Sequence, residues 1–255
     1  MKAAMFYGPG ELRLEDVGST EPAPGEILVE VRAAATCGTD LKSYRRGHPK
    51  LFPTLPSRFG HEFAGVVTAV GDGVERFAVG DRVTAANTVP CGYCWACIRH
   101  RESLCENLEF VNGAFAEEVV IPAAIVARNT YTLPDDLDFA DAAPLEPLAT
   151  VLHGMAETGI ELGDTVVVHG AGPIGLMFVR LATLRGANVI SVDQSPWRLQ
   201  QAVRAGAVDT IDLSEVSDFE DRVALIKRHT PHGRGADVGI EAVGLPQVWE
   251  QTVRT

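Results

Sequence analysis

Positive charge is in short supply in this sequence. There are 22 lysines and arginines against 34 aspartates and glutamates, a formal net charge of −12. An acidic chain repels phosphate backbones, which argues against nucleic acid as a partner. Long apolar runs are missing too. None reaches the roughly eighteen residues that a membrane helix needs, so no membrane span is expected. The opening Met1-Lys2-Ala3-Ala4-Met5 lacks the apolar core of a secretory signal, and the expected location is cytoplasmic. Repeats and low-complexity tracts are absent. Cysteine is scarce, five in 255 residues. In the cytosol, clustered cysteines mean metal or redox chemistry more often than disulfides. What remains is the balance of a soluble globular protein, 46% hydrophobic and 22% charged, long enough for one large domain or two ordinary ones.

Two regions of different character follow. Leu12–Leu14 and Glu26–Ala33 alternate apolar and polar residues, as half-buried strands do. Gly65–Val70, Arg82–Ala85, Glu117–Ile121 and Ala124–Arg128 read the same way, between Gly and Pro punctuation. This is a barrel-like β region with few long helices. From about Ala140 the pattern changes. Helices are expected over Ala142–Glu157, Ile174–Arg185, Arg198–Ala205, Asp218–His229 and Pro246–Thr255. Strands are expected at Thr165–His169, Asn188–Val192 and Ala236–Ala242. Strand alternating with helix implies parallel βαβ units. The expected domains are 1–148 and 149–255.

Cys91, Cys94, Cys97 and Cys105 follow the pattern C-x2-C-x2-C-x7-C. Two intervening residues let both sulfurs face one tetrahedral ion. The surrounding loop has little else to pack, and four thiolates on zinc would replace the missing core. An iron–sulfur site fits less well, because no Pro follows the last Cys and the final gap is long. The loop alone is also compatible with a zinc ribbon that binds a partner.

Three further segments carry metal-ligand chemistry. They are Cys37-Gly38-Thr39-Asp40, Gly60-His61-Glu62-Phe63-Ala64-Gly65, and Leu145-Glu146-Pro147-Leu148. A catalytic zinc takes about three protein ligands and keeps one position open. Singly, each residue has a plainer reading, a small core Cys or a satisfied polar contact.

Together these segments resemble the zinc-containing medium-chain dehydrogenases, the family of alcohol, polyol and threonine dehydrogenases. The run G-H-E-x2-G-x5-G-x2-V from Gly60 to Val74 is similar to the family's zinc signature, and the cysteine spacing to its structural-zinc loop. The resemblance implies a GroES-like β-barrel catalytic domain followed by a Rossmann doubly wound parallel sheet. It implies that Cys37 and His61 ligate a catalytic zinc, and that Glu62 or Glu146 supplies the carboxylate. The Glu-Pro context of Glu146 is that of the polyol and threonine branch. Asp40 would hold a ligand imidazole in one tautomer. Zinc lowers the pKa of a bound alcohol, and hydride then passes to nicotinamide. Thr39 would accept the alcohol proton. The family often has His three residues after this Thr, where this chain has Lys42; His48 is a weaker substitute for the relay.

The cofactor segment is Val166-Val167-Val168-His169-Gly170-Ala171-Gly172-Pro173-Ile174-Gly175. It places G-x-G-x-x-G between a strand and a helix, the context that gives the motif meaning. Gly170 makes the turn, Gly172 admits the pyrophosphate and Gly175 lets helix and strand pack. Pro173 and Ile174 open the helix whose N-terminus faces the phosphates. Asp193, at the end of the second strand, can accept the ribose hydroxyls of NAD and would repel a 2′-phosphate. Its plainer role is a helix cap, for which Ser195 serves equally. Arg198 would flank the ribose or meet a phosphate. Val243 and Gly244 resemble the family segment beside the cofactor.

The expected function is zinc-dependent hydride transfer between a secondary alcohol or polyol and NAD. The rival is a zinc-stapled, non-catalytic protein on a dehydrogenase scaffold. A six-stranded nucleotide sheet needs further strands beyond Ala236–Ala242, and none follows Pro246–Thr255, so a fragment of a longer enzyme is expected. A homo-oligomer is expected at full length. Tyr44, Arg45, Arg46, Phe52 and Phe110 are expected near the pocket mouth, where arginines would favour a polar or anionic substrate or else stand as solvated surface.

Overall fold

Alternation of apolar and polar residues governs the first half of the fold. A computed structural model describes residues 1–255, which form two compact units, Met1–Glu146 and Pro147–Thr255. The first unit contains β1 (Lys2–Gly8), β2 (Glu11–Asp16), β3 (Ile27–Ala35), α1 (Gly38–Arg46), β4 (Ser57–Arg58), β5 (Glu62–Val70) and β6 (Arg82–Ala85). It continues with β7 (Thr88–Val89), β8 (Glu109–Phe110), β9 (Glu118–Ile121), α2 (Ala123–Asn129), β10 (Thr130–Thr132) and α3 (Phe139–Ala142). Helix α4 (Leu145–Thr158) carries the chain onward.

The main sheet has the order β10-β6-β5-β3-β9, beside a sheet β2-β1-β4 and a pair β7-β8. All neighbours in the main sheet are antiparallel, with Val29 opposite both Val67 and Val119. Ile27, Val29, Phe63, Val67, Val83, Val119 and Ile121 project into one core. Each buried aliphatic contributes about 1.5–3 kcal/mol. A one-residue slip would turn that face to solvent, so the pattern fixes the register. A Cβ at Gly65 would fall 2.1 Å from the Glu30 carbonyl oxygen, so β3 and β5 meet there only through glycine.

Two expectations fail here. Ala124–Arg128 is not a strand but part of α2. The Pro122 carbonyl accepts the N–H groups of Ile125 and Val126, both at 2.9 Å, and starts a helical turn that buries both side chains. Four apolar residues in a row, Ala124–Ala127, do not distinguish helix from strand by periodicity. The single helix expected over Ala142–Glu157 is two, α3 and α4, separated around Pro144, which has no N–H to continue the first. Helix α1 and strand β1 were not anticipated.

The second unit alternates β11 (Thr165–His169), α5 (Pro173–Leu184), β12 (Asn188–Asp193), α6 (Pro196–Ala205), β13 (Asp209–Asp212), α7 (Phe219–Arg228), β14 (Val238–Glu241) and α8 (Pro246–Arg254). Its sheet is wholly parallel, in the order β13-β12-β11-β14. Val166 and Val168 join a core with Val179, Ala182 and Ala202. Val167, between them, joins another with Ile190, Ile211 and Ile226. A strand buried on both faces must read as a continuous apolar run, and β11 does. No helix is long and apolar enough to cross a membrane.

Candidate active site

The register of β3 and β5 assembles the first cluster. Ala35 pairs with Glu62, so Cys37, two residues beyond β3, meets His61, one residue before β5. Cys37 Sγ lies 3.2 Å from His61 Nε2, although the residues are 24 apart in sequence. That distance is close to the roughly 3.5 Å edge set by ordinary zinc–sulfur and zinc–nitrogen bonds. Glu62 Oε1 is 3.9 Å from the same nitrogen. One donor atom each from Cys37, His61 and Glu62 lies within 4.8 Å of the others.

A capping box holds this geometry. Cys37 is the N-cap of α1 and its Sγ accepts the Thr39 N–H at 3.2 Å. Asp40 Oδ2 accepts the Cys37 N–H at 2.9 Å. The other Asp40 oxygen lies 3.1 Å from His61 Nδ1, too far off line for a full hydrogen bond. Burial opposes charge on His61, but the contacts to Asp40 and Cys37 outweigh it and raise its pKa to about 10. Burial pushes the Glu62 carboxyl up, with Cys37 and His61 opposing and Glu146 adding to the rise. Protons or a cation must neutralise this pocket.

Glu146, in the first turn of α4, stands outside the three-residue cluster, though its charge reaches Glu62. Thr39 is half-buried beside Cys37, while Lys42, Arg45 and Arg46 are exposed. His48 Nδ1 accepts the Leu51 N–H at 3.0 Å, which is a loop-closing role. Tyr44 is exposed and donates to the Gly10 carbonyl. Phe52 is not at a pocket mouth. It is 6% exposed and stacks on Phe59 at 5.3 Å, in a core with Phe6 against which Phe110 packs. Burying a ring of this size against two others contributes area and ring–ring contact that an exposed position would forgo.

The cysteine loop forms a second donor set. Cys94 and Cys97 Sγ are 3.5 Å apart, and the pairs Cys91–Cys97 and Cys94–Cys105 are at 3.9 Å. A disulfide needs about 2.05 Å, while sulfurs on one tetrahedral zinc sit about 3.8 Å apart. Backbone N–H groups from Glu106 and Cys97 lower the Cys94 pKa to about 6, whereas burial and neighbouring sulfurs push Cys97 to about 12. Four thiolates cannot be held here without a cation.

In the second unit, a cavity of about 320 Å³ is lined by Gly170, Gly172, Asp193, Arg198 and Val243, among others. Gly170 has φ +98°, and a Cβ there would meet Val243. A Cβ at Gly175 would lie 1.8 Å from the Gly170 oxygen, but one at Gly172 would meet nothing within 4 Å. So Gly175 serves close packing and Gly172 leaves open space. Gly172 is the N-cap of α5, with Pro173 and Ile174 next and no acidic residue in the first turn. Asp193 accepts the N–H groups of Ala171 and Ser195, both at 2.8 Å. Ser195, not Asp193, caps α6. Arg198 Nη1 is 3.9 Å from Asp193.

Comparison with known proteins decides the family. Residues 23–135 match the alcohol dehydrogenase GroES-like domain, and residues 173–255 the zinc-binding dehydrogenase family. Sorbitol dehydrogenase of Bacillus subtilis is 36% identical over 253 residues, which covers 96% of this chain and 69% of that protein. The chain belongs to the zinc-containing medium-chain dehydrogenases. L-threonine 3-dehydrogenase of Idiomarina loihiensis is 33% identical, covering 95% of this chain and 70% of that protein. A solved structure from Sinorhizobium meliloti, described as a zinc-binding dehydrogenase bound to NADP, is 36% identical with a TM-score of 0.89. It covers 99% of this chain and 72% of that one.

The donor sets of this medium-chain dehydrogenase fit zinc. Glu62 Oε1 is buried without a hydrogen-bond partner beside a thiol and an imidazole. Such an oxygen is costly unless a cation or proton meets it. The cavity in the second unit includes residues that sequence reasoning missed: Gln194, Leu213, Arg222, Leu245, Gln247 and Gln251. The rule that ligands sit beyond the carboxyl ends of parallel strands pointed to Gln194, Leu213 and Leu245. Nothing local marks Arg222 or Gln251, which reach the cavity from helices.

Proposed function

We propose that this dehydrogenase transfers hydride between a secondary alcohol or polyol and NAD. The carrying observation is the S, N, O donor set of Cys37, His61 and Glu62, with the Thr39 hydroxyl residue next to it. In this reading those three residues hold the catalytic zinc, and Glu146 is the carboxylate available for exchange. Cys91, Cys94, Cys97 and Cys105 hold the structural zinc. When bound, zinc supplies a Lewis acid that lowers an alcohol's pKa towards neutrality, and NAD supplies the hydride acceptor.

The protein's own residues do the rest. Thr39 takes the alcohol proton at its hydroxyl. Asp40 holds the His61 ring so that Nε2 faces Cys37. Lys42 stands where the family often has His, so the proton leaves Thr39 by another group or water. Gly172 and the first turn of α5 receive the pyrophosphate, and Asp193 the adenosine ribose.

NADP is the second reading. Arg198 and Arg222 both line the nucleotide cavity, and the Sinorhizobium relative is described as bound to NADP. The ratio of kcat/KM for NAD over NADP tests it, and a ratio above one favours Asp193 as the deciding group. A homo-oligomer in the cytoplasm completes the proposal; five unpaired cysteines suit a reducing compartment. Reduced nicotinamide formed from an alcohol panel, with and without zinc, tests the activity itself.

A further inference from the structure

Three buried polar side chains stand together in the second unit. His169 is 1% exposed, Gln251 3% and Thr255 8%. Burying such groups is unfavourable unless each finds a partner. Here they find one another. The Gln251 carboxamide nitrogen lies 3.0 Å from His169 Nδ1, and His169 Nε2 lies 3.0 Å from Thr255 Oγ1. The Thr255 hydroxyl donates to the Gln251 backbone oxygen at 3.0 Å. Thr255 Oγ1 therefore accepts from the ring, which puts the ring proton on Nε2. Nδ1 is then the acceptor for the Gln251 carboxamide. Each ring nitrogen has one partner, and the arrangement requires a neutral imidazole. Burial provides it, lowering the His169 pKa to about 4.

The location gives this trio its meaning. His169 ends β11 and is followed directly by Gly170, and its carbonyl accepts the Ala242 N–H at 2.9 Å. Gln251 lies on α8. His169 and Gln251 both line the nucleotide cavity, as do Val243, Leu245, Gln247 and Val248 from the segment that opens α8. One ring thus ties the turn at the cavity floor to the helix that forms its wall.

We propose that His169, Gln251 and Thr255 position the nicotinamide dinucleotide by pinning α8 to the end of β11, which sets the width of the cavity. The inference rests on reading that cavity as the dinucleotide site. Its test is the dissociation constant of NADH, measured by fluorescence titration of the whole chain. Gln251→Met keeps the side chain's length and removes the donor to Nδ1. It is expected to weaken NADH binding about tenfold, the scale of one buried hydrogen bond. Thr255→Val is expected to weaken it likewise, and the conservative Thr255→Ser to restore it. Adding His169→Leu to the combined Gln251→Met and Thr255→Val variant should cause no further loss, because both partners of the ring are already gone.

In turnover, KM for the dinucleotide should rise about tenfold while kcat and the alcohol KM stay within about twofold, a split that loss of fold does not produce. If wild type binds NADH and both Gln251→Met and Thr255→Val bind it within twofold of wild type, the inference is overturned. If Gln251→Met does not fold, the Thr255→Val and Thr255→Ser pair decides alone. If wild type binds no NADH, the dinucleotide reading falls and takes this inference with it.

Discussion

Asp40 and His61 face each other at 3.1 Å, both almost fully buried, and the same carboxylate caps the backbone of Cys37. One aspartate thus orients two of the three donors in the proposed catalytic site. Groups that orient a ligating imidazole typically contribute ten- to a hundredfold to metal affinity. Asp40→Ala is expected to weaken zinc binding at this site by at least about tenfold and leave the cysteine site filled. Metal analysis after dialysis against a graded chelator should then show one zinc per chain where wild type keeps two. Equal retention by both proteins would remove Asp40 from the account.

The cysteine loop has almost no other core. Cys94, Ala96, Cys97 and Cys105 bury one another, with Cys91 and Leu108 beside them, while Tyr93, Trp95, Ile98 and Leu104 are exposed. Cys97→Ser is expected to lose one zinc. Proteolytic cleavage between residues 91 and 105 should rise about tenfold or more, because the metal is this loop's folding energy. Unchanged cleavage with one zinc missing would mean that the loop folds without its metal.

The neutral His169 makes stability depend on acid. Its folded pKa of about 4 lies below its ordinary value of 6.5. As pH falls, the unfolded chain takes up this proton first. The contribution is therefore present above pH 6.5 and is lost as pH falls towards 4. The loss is on the order of 3 kcal/mol. Denaturant unfolding at several pH values should show that acid limb in wild type and a flatter one in His169→Leu. Parallel curves would show that His169 is not buried neutral.

Legibility followed sequence distance. The strand–turn–helix from Thr165 to Leu184 could be read locally, because an apolar run, three glycines and a proline-led helix start occupy consecutive residues. The cysteine spacing was legible for the same reason. The meeting of Cys37 with His61 depends on the pairing of β3 with β5, which no local pattern states; family resemblance was needed to join them. Helix α2 was missed because Ala123–Asn129 is short and its start lies in the Pro122 carbonyl. Phe52 was misplaced because sequence does not say whether an aromatic beside arginines turns inward. Arg222 and Gln251 reach the cavity beside Gly170 and Asp193 from helices far along the chain, and only the fold brings them there.

One zinc, proposed to sit at Cys37, His61 and Glu62, is what would make this chain an alcohol dehydrogenase. The most direct measurement follows metal content and nicotinamide reduction in the same samples, across polyols, amino alcohols and simple secondary alcohols. Reduced nicotinamide should form from NAD with at least one alcohol when two zinc ions are bound. It should vanish when chelation removes the more labile ion, and return when zinc is restored. Turnover that persists in metal-free protein, or no turnover with any alcohol at two zinc ions per chain, would mean that this zinc does not carry the reaction.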